Sequence, residues 1–422
     1  MFGWEFPPHI TGGLGTACYG LTKGLSKHKA EVIFVVPKLF GDEDKTYVEL
    51  TDAEKVTIFQ TRKSFDEFWK NITYLQIDST LLPYLDPQIF EKYIQQSFKI
   101  SQEHIKEEAF ETHFTFSGKY GADLITEVTR YAIVAGTIAK DHEFDIIHAH
   151  DWLTYPAGIA AKQASGKPLV VHVHATEFDR SGEHVNQTVF DIEQKGMQEA
   201  DRVITVSHLT KQIVIERYGI DPSKVFTVHN AVEPVELEEF NITKHFDEKI
   251  VTFLGRITFQ KGPEYFIEAA KKVLQKDKNV RFVMAGTGDM LHRSIERVAK
   301  LRMGDRFHFA GFLKPEMVNK LFSISDVYVM PSVSEPFGIS PLEAMRSQVP
   351  VIISKQSGVS EILNHAIKID FWDIDAMADS IHALLHYDGI SKMFKTYGKT
   401  EIDHLKWENA AYNVIQVYNS LL

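Results

Sequence analysis

Four charged side chains stand in loops where short apolar runs end, and their spacing invites a chemical reading. "FLGRITFQKG" (253–262) places Arg256 and Lys261 beside the start of a helical segment, and "SEPFGISPLEAM" (334–345) places Glu335 and Glu343 around a proline and a glycine. Two cations near a helix amino terminus make an anion site, because free N–H groups and the macrodipole add to the point charges. Ser340, Pro341 and Glu343 match an N-cap, a first-turn proline and a capping-box glutamate, which is a sufficient structural reason for Glu343. Glu335 has no such reason, since it precedes Pro336, which biases it to extended backbone, in a loop after an apolar run. Gly338 lets the backbone come close to a ligand, and Gly338, Ile339 and Ser340 lead into the helix start. Carboxylates beside backbone N–H groups suit a ligand that carries both hydroxyls and phosphates.

The elements that must hold these loops are short apolar runs alternating with amphipathic segments. The runs are 31–37, 144–150, 168–174, 201–207 and 225–230, then 249–255, 280–286, 307–311, 326–332, 350–354 and 365–370. Continuous rather than alternating hydrophobicity is what strands covered on both faces need, and helices between them complete a βαβ pattern. The fold class is therefore α/β, with two doubly wound, Rossmann-like domains over residues 1–240 and 241–400. Their boundary falls in the acidic stretch 233–249. Ligands in such sheets bind beyond the carboxyl ends of strands, where the charged loops lie. Residues 401–422 form an amphipathic terminal helix, either a plain end of the second domain or one that crosses back to the first. Residues 41–125 carry Phe59, Phe65, Trp69, Tyr74, Tyr84 and Tyr93 with weak periodicity. Packing of a local core is the better account of them than stacking on sugars.

Composition narrows the partners. The net charge of −11 argues against a nucleic-acid or anionic-membrane face, so an anionic substrate needs a local basic site. The single cysteine, Cys18, excludes an internal disulfide and suits a reducing, cytoplasmic compartment; inside a helix it reads as a packed small residue. No run approaches the ~20 apolar residues of a membrane span, and the amino terminus lacks a signal-peptide pattern.

The motifs "WEFPPHITGGLG", "HAHDW" (148–152), "HATEFDRSG" (174–182), "HNAVE" (229–233), "FLGRITFQKG" and "SEPFGISPLE" together resemble the retaining GT-B glycosyltransferases of family 4, glycogen/starch synthase-like group. The resemblance implies two lobes facing across a cleft, and metal-independent transfer of a hexose from a nucleotide sugar, UDP- or ADP-glucose, with no further cofactor. It implies an α-glucan acceptor, with sucrose-type, lipid or other small acceptors as the alternative. By resemblance Arg256 and Lys261 bind the diphosphate, Glu343 the ribose hydroxyls, and Glu335 sits by the donor sugar. The Gly12-Gly13-Leu14-Gly15 turn approaches the phosphates from the other domain, while His174, Asp151 and Asn230 line the sugar side.

Other classes stay on the table. The pairs His148/His150 and His172/His174 suit a metal-dependent hydrolase, which leaves the Arg256/Lys261 loop without a role. An inactive glucan-binding protein would not need the charged set, and "MAGTGDM" (284–290) lacks the third glycine of a dinucleotide-binding turn. Two features depart from the starch-synthase pattern. Ile10 stands where those enzymes carry a lysine before the paired glycines, and only Met1 to Gly3 precede the Trp4 loop, too few for a full first strand.

Overall fold

The computed structural model describes residues 1–10, 12–60, 110–118, 120, 124–233, 244 and 246–422. The expected domain boundary at 240/241 and most of the aromatic stretch 41–125, including Phe65, Trp69, Tyr74, Tyr84 and Tyr93, lie outside them.

Every expected strand forms. In chain order the strands are β1 (Ile33–Val36), β2 (Glu49–Asp52), β3 (Ile58–Gln60), β4 (Phe110–Thr112), β5 (Ile147–His150), β6 (Leu169–Val173), β7 (Arg202–Thr205) and β8 (Val225–Thr227). There follow β9 (Lys249–Leu254), β10 (Val280–Ala285), β11 (Phe307–Gly311), β12 (Val327–Met330), β13 (Val351–Ser354) and β14 (Ile367–Ile369). The second sheet has the order β11-β10-β9-β12-β13-β14, all parallel, with its switch point between β10 and β12 at β9. In the first sheet β5-β6-β7-β8 and β1-β2 are parallel pairs joined by the chain's first residues. Phe2 bridges Val35 on one side and Ala149 on the other. Its N–H donates to His148 O, and it accepts from His150 N–H. Met1–Gly3, too few for a full strand, still bridge the two neighbours, because Phe2 bonds on both sides. β3 and β4 make a separate antiparallel ribbon.

Alternation within each strand sorts the two cores of the first domain. Val35, Ala149, Val171 and Val203 face one cluster with Tyr131, Ala157 and Met197, whereas Phe34, Val36, Val170 and Ile204 face another with Leu21, Leu25 and Trp407. The second face is covered by the helix Gly13–Lys27 and by the terminal helix Trp407–Asn419, which lies on the first domain. The two helices nearly touch. A Cβ added at Gly24 would lie 2.5 Å from the Trp407 carbonyl oxygen, and one at Gly20 2.3 Å from the indole ring. The chain's two crossings between domains run side by side, with Val232 N–H donating to Leu405 O at 3.2 Å. Among the described residues no helix is long and apolar enough to cross a membrane.

A Gly24→Ala substitution tests this packing with an unambiguous sign. In an isolated helix alanine would add up to about 1 kcal/mol. Against the Trp407 backbone it should instead cost about 1–3 kcal/mol through overpacking, seen as a lowered urea midpoint. An unchanged or raised midpoint would contradict the close helix contact.

Candidate functional site

The loops that close β9 and β12 flank the switch point of the second sheet, where strand order reverses and a crevice opens. After β9 the chain turns through Phe259–Lys261, a single turn of 3-10 helix, into the helix Pro263–Lys276. Gly262 makes the turn at φ 66°, and a Cβ there would sit 2.1 Å from Pro331 O, so only glycine lets the loop lie on the start of the β12 loop. This contact brings Lys261 to Glu335, with Nζ 2.5 Å from Oε2 and side-chain exposures of 20% and 8%. Ser332 Oγ donates to the same carboxylate oxygen at 3.2 Å. Gly338, at φ 102°, has Met330 and the Glu335 side chain 3.1–3.2 Å from where a Cβ would be. Arg256 is exposed, its side chain making only a long 3.5 Å contact to Gln260 Oε1 among the described residues.

Glu343 projects from the helix Ser340–Arg346. No side-chain hydrogen bond is made by its carboxylate among the described residues, and burial pushes its pKa up against the pull of Arg346. A half-buried carboxylate without donors is suited to accept from hydroxyls of a ligand. Glu335 and Glu343 both act on the Tyr328 phenol, which burial first and then these charges push up. The helix start differs from the expectation. Ile339, at φ −78° and ψ −35°, occupies the N-cap, and Ser340 is the first helical residue, so no side chain caps the helix. The cause is that Ile339 already has helical backbone, one residue ahead of the Ser-Pro pattern. With seven residues and no cap, this helix adds little charge of its own, and the cations of the β9 loop carry any anion binding.

In the first domain the corresponding loops follow Phe2, β5 and β6. The glycine turn leads into the helix at Gly13, and Gly15 N–H donates to Glu5 Oε1 at 3.2 Å. A Cβ at Gly13 would meet Ile339 Cδ1 at 3.9 Å, so the turn does face the second domain's loop across the cleft. Asp151 sits at φ 61°, a strained position for a residue with a side chain. Its Oδ1 accepts from His174 N–H at 2.7 Å and from Ala175 N–H at 3.3 Å. Burial raises its pKa to about 6 against the Arg180 charge and those two N–H groups. His174 is half-buried, and loss of solvent lowers its imidazole to about 3. Its Nε2 lies 3.1 Å from His150 Nδ1. Asn230 is buried, but no hydrogen bond of its side chain joins it to this group; its neighbour His229 pairs with Glu361 of the other domain at 2.9 Å.

Sequence reasoning missed the contacts that hold the cleft together. Ser334 Oγ donates to Asp179 Oδ1 at 2.6 Å from one domain to the other. Thr176 and Asp179 form a reciprocal capping box at the helix Glu177–Ser181, a pattern visible in "TEFD". Arg180 binds Glu193 at 2.8 Å, Glu177 at 3.3 Å and Ala175 O at 3.2 Å, which stiffens the loop that carries His174.

Residues 235–401 match the family described as "Glycosyl transferases group 1", and residues 120–236 that described as "Glycosyltransferase Family 4". An uncharacterized glycosyltransferase of Methanocaldococcus jannaschii is 28% identical over 99% of this chain and 97% of its own length. Glycogen synthase of Mycobacterium tuberculosis is 22% identical over 99% of this chain and 93% of that protein. Sucrose-phosphate synthase of Thermosynechococcus elongatus superposes with a TM-score of 0.69 at 18% identity, over 97% of this chain and 94% of the other. HepE of Anabaena, solved with UDP and glucose, gives 0.60 at 19% identity over 68% of this chain and 82% of its own.

The Asp151 shift has a sign that can be measured. Below about pH 6 the carboxyl is protonated and its grip on the His174 and Ala175 N–H groups weakens; above, the anion holds the loop. His174 is neutral throughout this range, so it contributes no step there. Turnover should therefore fall as pH drops through about 6, and the limb should vanish in Asp151→Asn. A limb that persists unchanged in that variant would contradict the assignment.

Proposed function

The chain is a glycosyltransferase of the GT-B type, with family 4 and group 1 matches in its two halves, and from that premise we propose metal-independent transfer of glucose, with retention, from a nucleotide sugar to an α-glucan. The observation that carries the proposal is the Lys261–Glu335 pair, held at the switch point with the exposed Arg256 in the same loop. Breaking the anomeric C–O bond leaves negative charge on the departing diphosphate oxygen. Without a metal, fixed cations must be there to receive it. Arg256 can take two phosphate oxygens at once, and Lys261 acts as a point charge.

Glu335 keeps the lysine in place between turnovers and faces the sugar side of the pair. Glu343, with no donor of its own, takes the ribose hydroxyls at the opposite end of the nucleotide. Backbone at Gly338, Ile339 and Ser340 lies between the two carboxylates, and Gly12, Gly13 and Gly15 close on the phosphates from the first domain. His174 and Asp151 border the glucose. The acceptor hydroxyl oxygen forms the new bond at the anomeric carbon, and its proton leaves with the diphosphate.

UDP is favoured over ADP as the nucleotide, because Ile10 replaces the lysine of starch-synthase-type members and because HepE is a UDP and glucose binder of the same fold. An α-glucan is favoured as acceptor by the similarity to glycogen synthase along nearly the whole chain. The likeness to sucrose-phosphate synthase supports the second reading, a small-sugar acceptor.

Two experiments check this reading. UDP-glucose and ADP-glucose, each with and without maltooligosaccharides in EDTA, should give nucleotide release coupled to chain growth, fastest with UDP-glucose. Release without growth would remove the glucan, and dependence on an added divalent ion would remove the metal-independent mechanism. Arg256→Ala and Lys261→Ala should each lower turnover by at least ~10²-fold. Only Lys261→Ala should also lower the unfolding midpoint, since it leaves the largely buried Glu335 without its cation. Near-normal turnover in either variant would contradict the charge assignment.

A further inference from the structure

Four histidines occupy positions on β5, β6 and the residue after β6 that face the helices Gly13–Lys27 and Trp407–Asn419. His148, His150 and His172 are 0–2% exposed. Tyr418 on the terminal helix holds His148 Nδ1 at 2.5 Å. His148 Nε2, His150 Nε2 and both nitrogens of His172 are buried without a hydrogen-bond partner. His150 Nδ1 and His174 Nε2 are instead partnered with each other.

Two groupings bring three ligand atoms within 4.8 Å of one another, His148–His150–His172 and Cys18–His150–His174. Ring geometry separates them. The first three imidazoles are stacked, at interplanar angles of 21°, 10° and 28°. An imidazole binds a metal through a lone pair in its own plane, so three nearly parallel rings cannot aim at one point. His150 and His174 are tilted by 37°, and their facing nitrogens are 3.1 Å apart. Two nitrogens on tetrahedral zinc, with bonds of 2.0–2.1 Å, are separated by roughly 3.3 Å. The Cys18 sulfur, buried on the facing helix, would need to approach by no more than about 1 Å to reach nitrogen–sulfur spacing. Thiolate and imidazole together select soft or borderline ions over magnesium and calcium.

We propose that Cys18, His150 and His174 form a site for one thiophilic metal ion such as zinc, entered from the cleft beside the half-buried His174 and inhibitory when filled. Binding releases the thiol proton to solvent, moves the proton between the two facing nitrogens to the far nitrogen of its own ring, and draws the His174 ring onto the ion and away from the donor sugar. The fourth position stays open toward the cleft for water. Such an ion blocks turnover and takes no part in it. Its effect on turnover rests on the placing of His174 under the proposed function; the binding itself does not.

Zinc and cobalt(II) titrated into the full chain and into Cys18→Ala test the site. The parent chain should take one equivalent of zinc, with at least about tenfold weaker binding in the variant. Cobalt should give a thiolate-to-metal charge-transfer band in the near ultraviolet with the parent and none with Cys18→Ala. Zinc should suppress glucosyl transfer by the parent, reversibly with EDTA, while the variant's rates with and without zinc should agree within about twofold. Absence of the band in the parent, or equal zinc binding by both chains, would overturn the site. Cysteine-dependent binding that leaves transfer unaffected would uphold the site and overturn the placing of His174.

Discussion

One ion pair organises the second domain's active surface. Lys261 and Glu335 lie 74 residues apart in sequence and meet because β9 and β12 are neighbours at the switch point, with their following loops in contact. A pair at this burial gains little net stability, since desolvation of two charges offsets their attraction. Under the proposed function its value lies in keeping a cation fixed where the departing diphosphate would be received. Water would do the same by reorienting; a preorganised ammonium has no such cost at the moment of bond cleavage. With an overall charge of −11, an anionic donor such as the proposed nucleotide sugar would need this local positive charge.

Hydrogen bonds join the two domains around these loops. At the mouth, Ser334 reaches Asp179, whose helix abuts the Lys261 turn. Deeper in, Glu361 accepts from His208 and Leu209 N–H at the start of the helix His208–Tyr218 and from His229. Gly358 packs so closely on Ser207 that a Cβ would lie 2.4 Å from it. Asp151 shows the cost of presenting the opposite wall. Its folded pKa of about 6 against 3.8 means that, as pH rises between these values, the native state gives up stability relative to the unfolded chain. That cost keeps an anion under the His174 loop.

Much of this was legible in the sequence because parallel strands covered on both faces leave continuous apolar runs. "VRFVMA" and "VYVM" could hardly be anything else. The short polar strand Glu49–Asp52, at a sheet edge, left no such mark, and Met1–Gly3 are too few for any periodicity to show. Arg256, Lys261 and Glu335 were recognisable by standing in loops after strands, whereas Glu343 had a capping reason and stood out only through the family resemblance. Lys261 pairing with Glu335, Ser334 with Asp179 and Asp151 with the His174 main chain were not, since pairing at long range depends on loop paths. The Ser340 cap failed by one residue because Ile339 and Ser340 both permit helical backbone. The four histidines were visible as two pairs; that their rings stack across two strands, with Cys18 close to His150 and His174, needed coordinates.

The central claim, that Lys261 and Arg256 together receive the departing diphosphate, is most directly tested by a crystal structure with bound UDP. The account predicts phosphate oxygens within salt-bridge distance of both side chains, with Glu343 on the ribose. Phosphates bound elsewhere in the cleft, with the Lys261–Glu335 pair undisturbed and Arg256 in solvent, would contradict it.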